Sequence, residues 1–255
     1  MKPVNIEQLV IGDGTPKICV SIMAKEIEEA VLQSKKLKAS AAHLVEVRGD
    51  YLEPYAEPEY ITQVISEVRR YSQRPVIYTF RTGNEGGEKS ISKEQYTDLL
   101  CEVIRKRAMD LIDIELFTGD EEIKKLTELA HQNDVKVIMS NHNFEMTPDE
   151  TDIVSRLKKM EAQGADIAKI AVMPQQQYDV NRLLNATSMA YQEMEIPVVT
   201  MSMGRLGAVS RIIGEVFGSS ITFGAFGAAS APGQIEVKAV EEMLELVHRH
   251  CCQAG

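Results

Sequence analysis

A closed barrel of eight parallel βα units, an α/β TIM barrel, is the fold this sequence predicts, on three observations. Apolar, β-branched runs recur eight times, at Lys17–Ile22, Ala42–Val47, Pro75–Phe80, Leu111–Leu116, Val135–Ser140, Ile167–Met173, Ile196–Met201 and Ile221–Phe226. Helix-like segments of 3.6-residue periodicity separate them, at a repeat of about 30 residues, so each strand reaches the next through a crossover and pairs with it in parallel. The length of 255 residues matches the roughly 250 typical of one (β/α)8 domain. An open doubly wound sheet is the alternative, weakened because no Gly-x-Gly-x-x-Gly turn follows the first run.

From the N-terminus, Asn5-Ile-Glu-Gln-Leu-Val-Ile11 runs into Gly12-Asp-Gly14, a turn signal between two strand-like pieces. It reads as a hairpin that closes the bottom of the barrel. The first long run carries Ser21 near its end. In the second, Glu46 and Arg48 share a face with Leu44, because side chains alternate along a strand. The third puts Arg81 in phase with Ile77 and Thr79, with Glu85 in the Gly-rich loop beyond. Ser92-Lys-Glu-Gln95 has capping-box spacing, and so opens a helix. Asp113 and Glu115 share one parity at the end of the fourth run. The fifth ends in Ser140-Asn-His142, and Thr147-Pro-Asp-Glu150 then gives a second capping signature leading into Ile153, Leu157 and Met160. The sixth carries Lys169, and the seventh leads into Met201-Ser-Met-Gly-Arg205. The eighth holds Phe223 and passes into a stretch of small residues, Gly224–Gln234. No linker rich in Pro, Ser or charge divides the chain, so one domain over 1–255 is expected.

Composition narrows the function. The net charge is -10 and no basic stripe exceeds Arg105-Lys-Arg107, which argues against nucleic acid as a partner. An anionic small molecule would instead need a local cluster of arginines. Met1-Lys-Pro-Val-Asn-Ile6 is not followed by an apolar h-region, and no apolar stretch approaches the ~20 residues of a membrane span, so a soluble cytoplasmic protein without membrane contact is expected. Cys19, Cys101, Cys251 and Cys252 show no Cys-x-x-Cys pairing and no zinc-like spacing with histidine; reduced thiols and no metal are expected.

Lys169 is the most informative residue. Its neighbours in Ala165-Asp-Ile-Ala-Lys-Ile-Ala-Val-Met173 are apolar on both sides along the strand. A lysine buried there must be paired, neutralised or used, because removing its charge from water is costly. If used, it is an amine nucleophile able to form an imine with a ketone. In a parallel barrel, chemistry gathers at the C-terminal strand ends, and five consecutive strands here bring charged or titratable groups to that rim. Glu46 with Arg48, and Arg81 with Glu85, read either as structural ion pairs or as a substrate clamp. His142 reads as a capping residue or a general base. His43 has the opposite parity, and His131, His248 and His250 fall on helices; all four read as surface or packing residues.

Glu46-Val-Arg-Gly-Asp50, Thr79-Phe-Arg-Thr82 with Glu85-Gly-Gly87, Ser140-Asn-His142, Ala168-Lys-Ile170, Met201-Ser-Met-Gly204, Arg211 and Ser230-Ala-Pro-Gly-Gln234 follow one another at the ends of expected strands. In that order the chain resembles type I 3-dehydroquinate dehydratase, the Schiff-base dehydratase of the shikimate pathway, over nearly its whole length. The resemblance implies that Lys169 forms an imine with the ring ketone of 3-dehydroquinate, that His142 moves the protons and that Glu85 orients the His142 ring. It implies that Arg211 takes the substrate carboxylate, helped by Ser230, Ala231 and Gln234, and that Glu46, Arg48 and Arg81 hold ring hydroxyls, with Ser21 beside them. Met201, Met203 and Phe223 are expected as apolar walls, packing being the other reading for the methionines. No cofactor and a homodimer are likewise implied.

An amine nucleophile must be uncharged, which an apolar strand flanked by Arg48, Arg81 and Arg211 favours. Gly224–Gln234 reads as a lid over the ring or as an ordinary βα loop. Two rival functions remain. A class I aldolase would use the same lysine, with Gly204-Arg-Leu-Gly207 as a phosphate turn, and a non-catalytic barrel would merely bind a sugar acid.

Overall fold

The computed structural model describes residues 1–227 and 229–252, with the side chain of Cys252 excluded. Two short strands, β1 (Val4–Ile6) and β2 (Leu9–Ile11), pair antiparallel with Val4 opposite Ile11. The hairpin therefore exists, but its turn is at Glu7-Gln8, where Glu7 adopts φ 53°, and not at Gly12-Asp-Gly14. The glycines instead lead into the barrel. Gly12 has φ 95°, and a Cβ there would stand 2.8 Å from the Pro197 ring.

The barrel follows as β3 (Lys17–Ile22), α1 (Ile27–Leu37), β4 (Leu44–Arg48), α2 (Pro58–Ser72), β5 (Val76–Thr79), α3 (Lys93–Arg105), β6 (Leu111–Glu115), α4 (Asp120–Gln132), β7 (Lys136–Asn143) and α5 (Glu150–Ala162). It continues through β8 (Ile167–Val172), α6 (Gln177–Glu193), β9 (Val198–Ser202), the short α7 (Gly204–Gly207) and α8 (Gly214–Phe217), β10 (Ile221–Gly224) and α9 (Val237–Val247). The eight strands lie parallel in the order β10-β3-β4-β5-β6-β7-β8-β9. The ring is nearly closed: between β9 and β10 a single Val198–Ser219 bridge forms, and the Ser220 amide donates to the Val198 carbonyl at 2.8 Å.

Local sequence explains the helices. Proline occupies the first turn of α2, and Ile61, Val64, Ile65 and Val68 form the stripe it buries against the sheet. Each such side chain stabilises by ~1.5–3 kcal/mol relative to exposure. The Ser92–Gln95 capping box starts α3 as the sequence predicts. Thr147 does not cap α5. Asp149 is the boundary residue, and the Thr147 hydroxyl donates to the Met173 carbonyl, tying the loop to the end of β8.

The strand parity sorts the interior by height. Inward-facing Cys19, Leu44, Ile77, Leu111, Ile138, Ile167 and Ile221 pack with Val4, Ile6 and Ile11, so the hairpin seals an apolar lower half. One or two positions further along the same strands stand Glu46, Arg48, Asp113, Glu115, Ser140 and Lys169, all buried. His43 accepts a hydrogen bond from the Ile18 amide, His131 and His248 pair with Asp166 and Glu215, and His250 lies exposed at the C-terminal turn, so none of the four reaches the rim. Cys19 and Cys101 are buried and Cys251 exposed, all free. Among the described residues no helix is long and apolar enough to cross a membrane.

Candidate active site

Lys169 points up from the middle of β8 and is 4% exposed. Its amine lies 3.1 Å from Asp113 Oδ2 and 3.7 Å from Glu46 Oε1, and 4.6 Å above the centre of the Phe223 ring. The charges in direct contact are thus two carboxylates, rather than the guanidiniums the sequence suggested. Asp113 belongs at the centre of the site. Its Oδ1 accepts from Arg81 at 2.8 Å and from the Ser140 hydroxyl at 2.6 Å. Burial opposes its charge, but Arg81, Lys169 and these hydrogen bonds hold its carboxyl below the usual carboxylate range.

Arg81 sits two residues beyond β5 and bridges three acids, with Glu115 at 3.0 Å, Asp113 at 2.8 Å and Glu85 at 3.4 Å. Burial works against its charge, and Asp113, Glu115 and Glu85 overcome it, raising its pKa well above the ordinary value. Arg48 makes a two-pronged pair with Asp50, at 2.8 and 2.7 Å. Asp50, fully buried, also accepts from the backbone amides of Arg81 and Glu88, and so fixes the loop that carries Glu85. Glu46 is held by the Ser21 hydroxyl at 2.5 Å and the Thr79 hydroxyl at 2.8 Å.

His142 ends the inward-facing row of β7. Its Nδ1 lies 3.0 Å from Glu85 Oε2, which also accepts from the His142 backbone amide at 2.9 Å. Because Oε2 already accepts the His142 backbone amide, it faces the ring as an acceptor, so the ring carries its proton on Nδ1 and Nε2 is left as a free base. Burial first, then Arg81, Lys169 and Arg48, drive the imidazole pKa well below its ordinary value, so the ring is neutral at physiological pH. Glu85 moves the other way. Burial, with Glu115 and Asp113 nearby, pushes its carboxyl up to about 8 against the pull of Arg81 and a hydrogen bond from Asn141. Five acidic side chains, Glu46, Asp50, Glu85, Asp113 and Glu115, are buried here with the guanidiniums of Arg48 and Arg81 and the amine of Lys169.

A narrow cavity of about 50 Å³ opens above these groups. Glu46, Arg48, Arg81, Glu85, His142 and Lys169 form its polar side; Met201, Met203 and Phe223 its apolar side; Ser230, Ala231 and Gln234 its cover. Gly86, Phe144 and Ala171 also border it, and strand parity did not single them out. Gly86 has φ 82°, and a Cβ there would come within 2.3 Å of the Phe144 ring, so the glycine lets that ring close one wall.

Two residues of the expected set stand behind the cavity wall. Ser21 donates to Glu46 and receives the Ser230 hydroxyl at 3.0 Å, joining the covering loop to the barrel. Arg211 is 1% exposed, beneath Met201 and Phe223. Its guanidinium donates to the Pro232 carbonyl at 3.1 Å and to the Phe223 carbonyl at 3.5 Å, and Nε has no partner among the described residues. Burial alone pulls its pKa down to about 10. Among the described residues it is a buried cation with no anion beside it. Arg205 is exposed on α7 and takes no part.

The covering loop is tied down at both ends. The Ser230 amide and hydroxyl bond to Gln234 at 2.8 and 2.9 Å, the Pro232 carbonyl accepts from Gly204 and Arg211, and Ala225 bridges to Glu236. Ala228, within the expected lid, lies outside the described residues. Among the described residues no cluster of three or more His, Cys, Asp or Glu is arranged to hold a metal ion.

A family model described as type I 3-dehydroquinase matches residues 18–250. The chain is 44% identical over 250 residues to the 3-dehydroquinate dehydratase of Clostridium novyi, covering 97% of this chain and 99% of that one. It is 43% identical to the enzyme of the same name from Escherichia coli O8, covering 98% and 100%. A crystal structure of the type I 3-dehydroquinate dehydratase of Clostridium difficile, solved with covalently modified comenic acid, superposes with a TM-score of 0.94 at 44% identity, over 97% of this chain and 98% of that one. The aldolase and non-catalytic alternatives lose their ground, and the chain belongs to the type I 3-dehydroquinase family.

Proposed function

We propose that this chain eliminates water from 3-dehydroquinate to give 3-dehydroshikimate through an imine on Lys169. The observation that carries the reading is the placement of Lys169: a buried amine facing the same cavity as the free nitrogen of a neutral His142. In this scheme the amine adds to the ring ketone, and loss of the carbonyl oxygen as water gives the imine. The positive nitrogen then accepts the electron pair released when His142 Nε2 takes a proton from the adjacent carbon, forming an enamine. The enamine expels the tertiary hydroxyl group, which leaves as water with the proton His142 took. Hydrolysis of the new imine frees the enone and restores the amine.

Binding follows from charge and shape. Arg211, a desolvated cation that meets no anion among the described residues, suits the substrate carboxylate, with Ser230, Ala231 and Gln234 closing over it. Glu46, Arg48 and Arg81 are fixed by Ser21, Thr79, Asp50 and Asp113, so they meet ring hydroxyls without rearranging. Met201, Met203 and Phe223 pack on the carbon faces. The reaction runs on side chains alone, without cofactor or metal. Homodimer assembly follows from the family resemblance and cytoplasmic placement from the reading of the sequence; a solution mass twice that of one chain would support the first.

The test is a rise in ultraviolet enone absorbance when 3-dehydroquinate is added to the parent protein, beside Lys169→Ala and His142→Ala. The parent should give the signal and both variants should lose nearly all of it. Parent-like rates in Lys169→Ala would overturn the imine route.

A further inference from the structure

We propose that Arg156, on α5, is a positioning residue for the reaction: through Asn141 it holds Glu85, and thereby His142, in the geometry of a base. The inference rests on the role of His142 given above. Asn141 has the opposite parity to Ser140 and His142, so it points away from the barrel interior toward the helix layer, where α5 lies. There Arg156 Nη1 stands 2.9 Å from Asn141 Oδ1, and Asn141 Nδ2 stands 3.1 Å from Glu85 Oε1.

The orientation of the amide follows from donor chemistry. A guanidinium has donors only, so the Asn141 atom facing Arg156 must be the carbonyl oxygen, and the amide nitrogen must face Glu85. That nitrogen occupies Glu85 Oε1 as an acceptor and leaves Oε2 to receive the His142 backbone amide and Nδ1. Arg156 is itself fixed by a two-pronged pair with Asp152 one turn earlier, at 3.2 and 2.7 Å, and by the Phe117 ring at 5.6 Å.

Glu85 is buried, with Arg81 at 3.4 Å from Oε2, and Asn141 is the side chain that donates to Oε1. A wide cleft of about 730 Å³ borders Glu85, Asn141, His142 and Arg156 from outside the barrel. Without Arg156 the amide is free to turn its oxygen toward Glu85, where two acceptors repel and the carboxyl loses the donor that favours its ionised form. The proton then stays on Glu85 to higher pH, and the acceptor that faces the Nδ1 proton of His142 is weakened. Arg156 is 23% exposed at its side chain, so its replacement leaves the core intact.

The experiment compares Arg156→Ala, Arg156→Lys and Asn141→Asp with the parent and with His142→Ala, measuring kcat, KM, the pH profile of kcat and borohydride-trapped adduct. Arg156→Ala should lower kcat about tenfold with KM within about twofold, and move the acidic limb of the profile to higher pH. Adduct formation should continue, because Lys169 is untouched. Arg156→Lys, which can still donate to Asn141, should recover most of the rate. Asn141→Asp, which sets a carboxylate against Glu85, should shift the limb further. An unmoved limb in both Arg156→Ala and Asn141→Asp, or a lysine variant no better than alanine, would overturn the proposal. Full turnover in His142→Ala would instead overturn the base assignment on which it rests.

Discussion

The lower and upper halves of the barrel interior are built from the same strands, with the same parity, and they do opposite things. Below, Leu44, Ile77, Leu111, Ile138 and Ile167 fill the space and the N-terminal hairpin caps it. Above, the next inward positions are Glu46, Thr79, Asp113, Ser140 and Lys169, almost every polar atom of which is bonded to another. Buried charges of this kind seldom stabilise a fold relative to apolar packing. The lower half therefore supplies the cohesion that lets the upper half hold its cluster of acidic and basic side chains out of water, and height along a strand separates stability from chemistry.

That division can be broken at specific places. The largest effect is expected at Lys169→Ala, whose turnover should fall by at least about a thousandfold, measured as enone formation. Residual turnover within tenfold of the parent would mean that the upper half works without its amine. Leu111→Ala, in the lower half, should cost about 2–5 kcal/mol in denaturant unfolding while the folded fraction keeps kcat within about twofold. A large loss of kcat there would mean that the two halves are not separable. Gly86→Ala should lower kcat/KM more modestly, since the Phe144 ring must shift to admit a methyl group at a left-handed position. Unchanged kinetics would show that this wall does not shape the cavity.

The smallest effect concerns pH and stability. Glu85 holds its proton up to about 8 when folded and releases it near 4.5 when unfolded, so the folded state binds the extra proton between those values. Stability from this group is complete below pH 4.5 and is lost as pH rises towards 8. Glu85→Gln should flatten that slope in urea titrations at several pH values; an unaltered slope would place the shared proton elsewhere.

Much of the upper half could be read from alternation alone. Glu46, Arg48, Asp113, Glu115 and Lys169 all fall on the inward parity of strands whose existence the apolar runs made plain. What alternation missed has physical causes. Two strand-forming pieces flank both Glu7-Gln8 and Gly12-Asp-Gly14, and composition favours the glycines, whereas the hairpin turns at Glu7, a non-glycine residue at positive φ. Lys169 has apolar neighbours along β8, but its partners come from β4 and β6, which no local pattern reveals. Asp50 shares the parity of Arg48 two residues on, a signal that was available. Asn141 and Arg156 were out of reach, since their contact joins an outward strand position to a helix surface. The burial of Arg211 behind Met201 depends on the path of the chain through α7 and the turn after it.

The most direct measurement is borohydride reduction of the parent protein during turnover of 3-dehydroquinate, followed by peptide mass analysis. A covalent adduct should form on the peptide that contains Lys169, and none should form in Lys169→Ala. Sustained turnover with no adduct, or with the adduct on another lysine, would contradict the account.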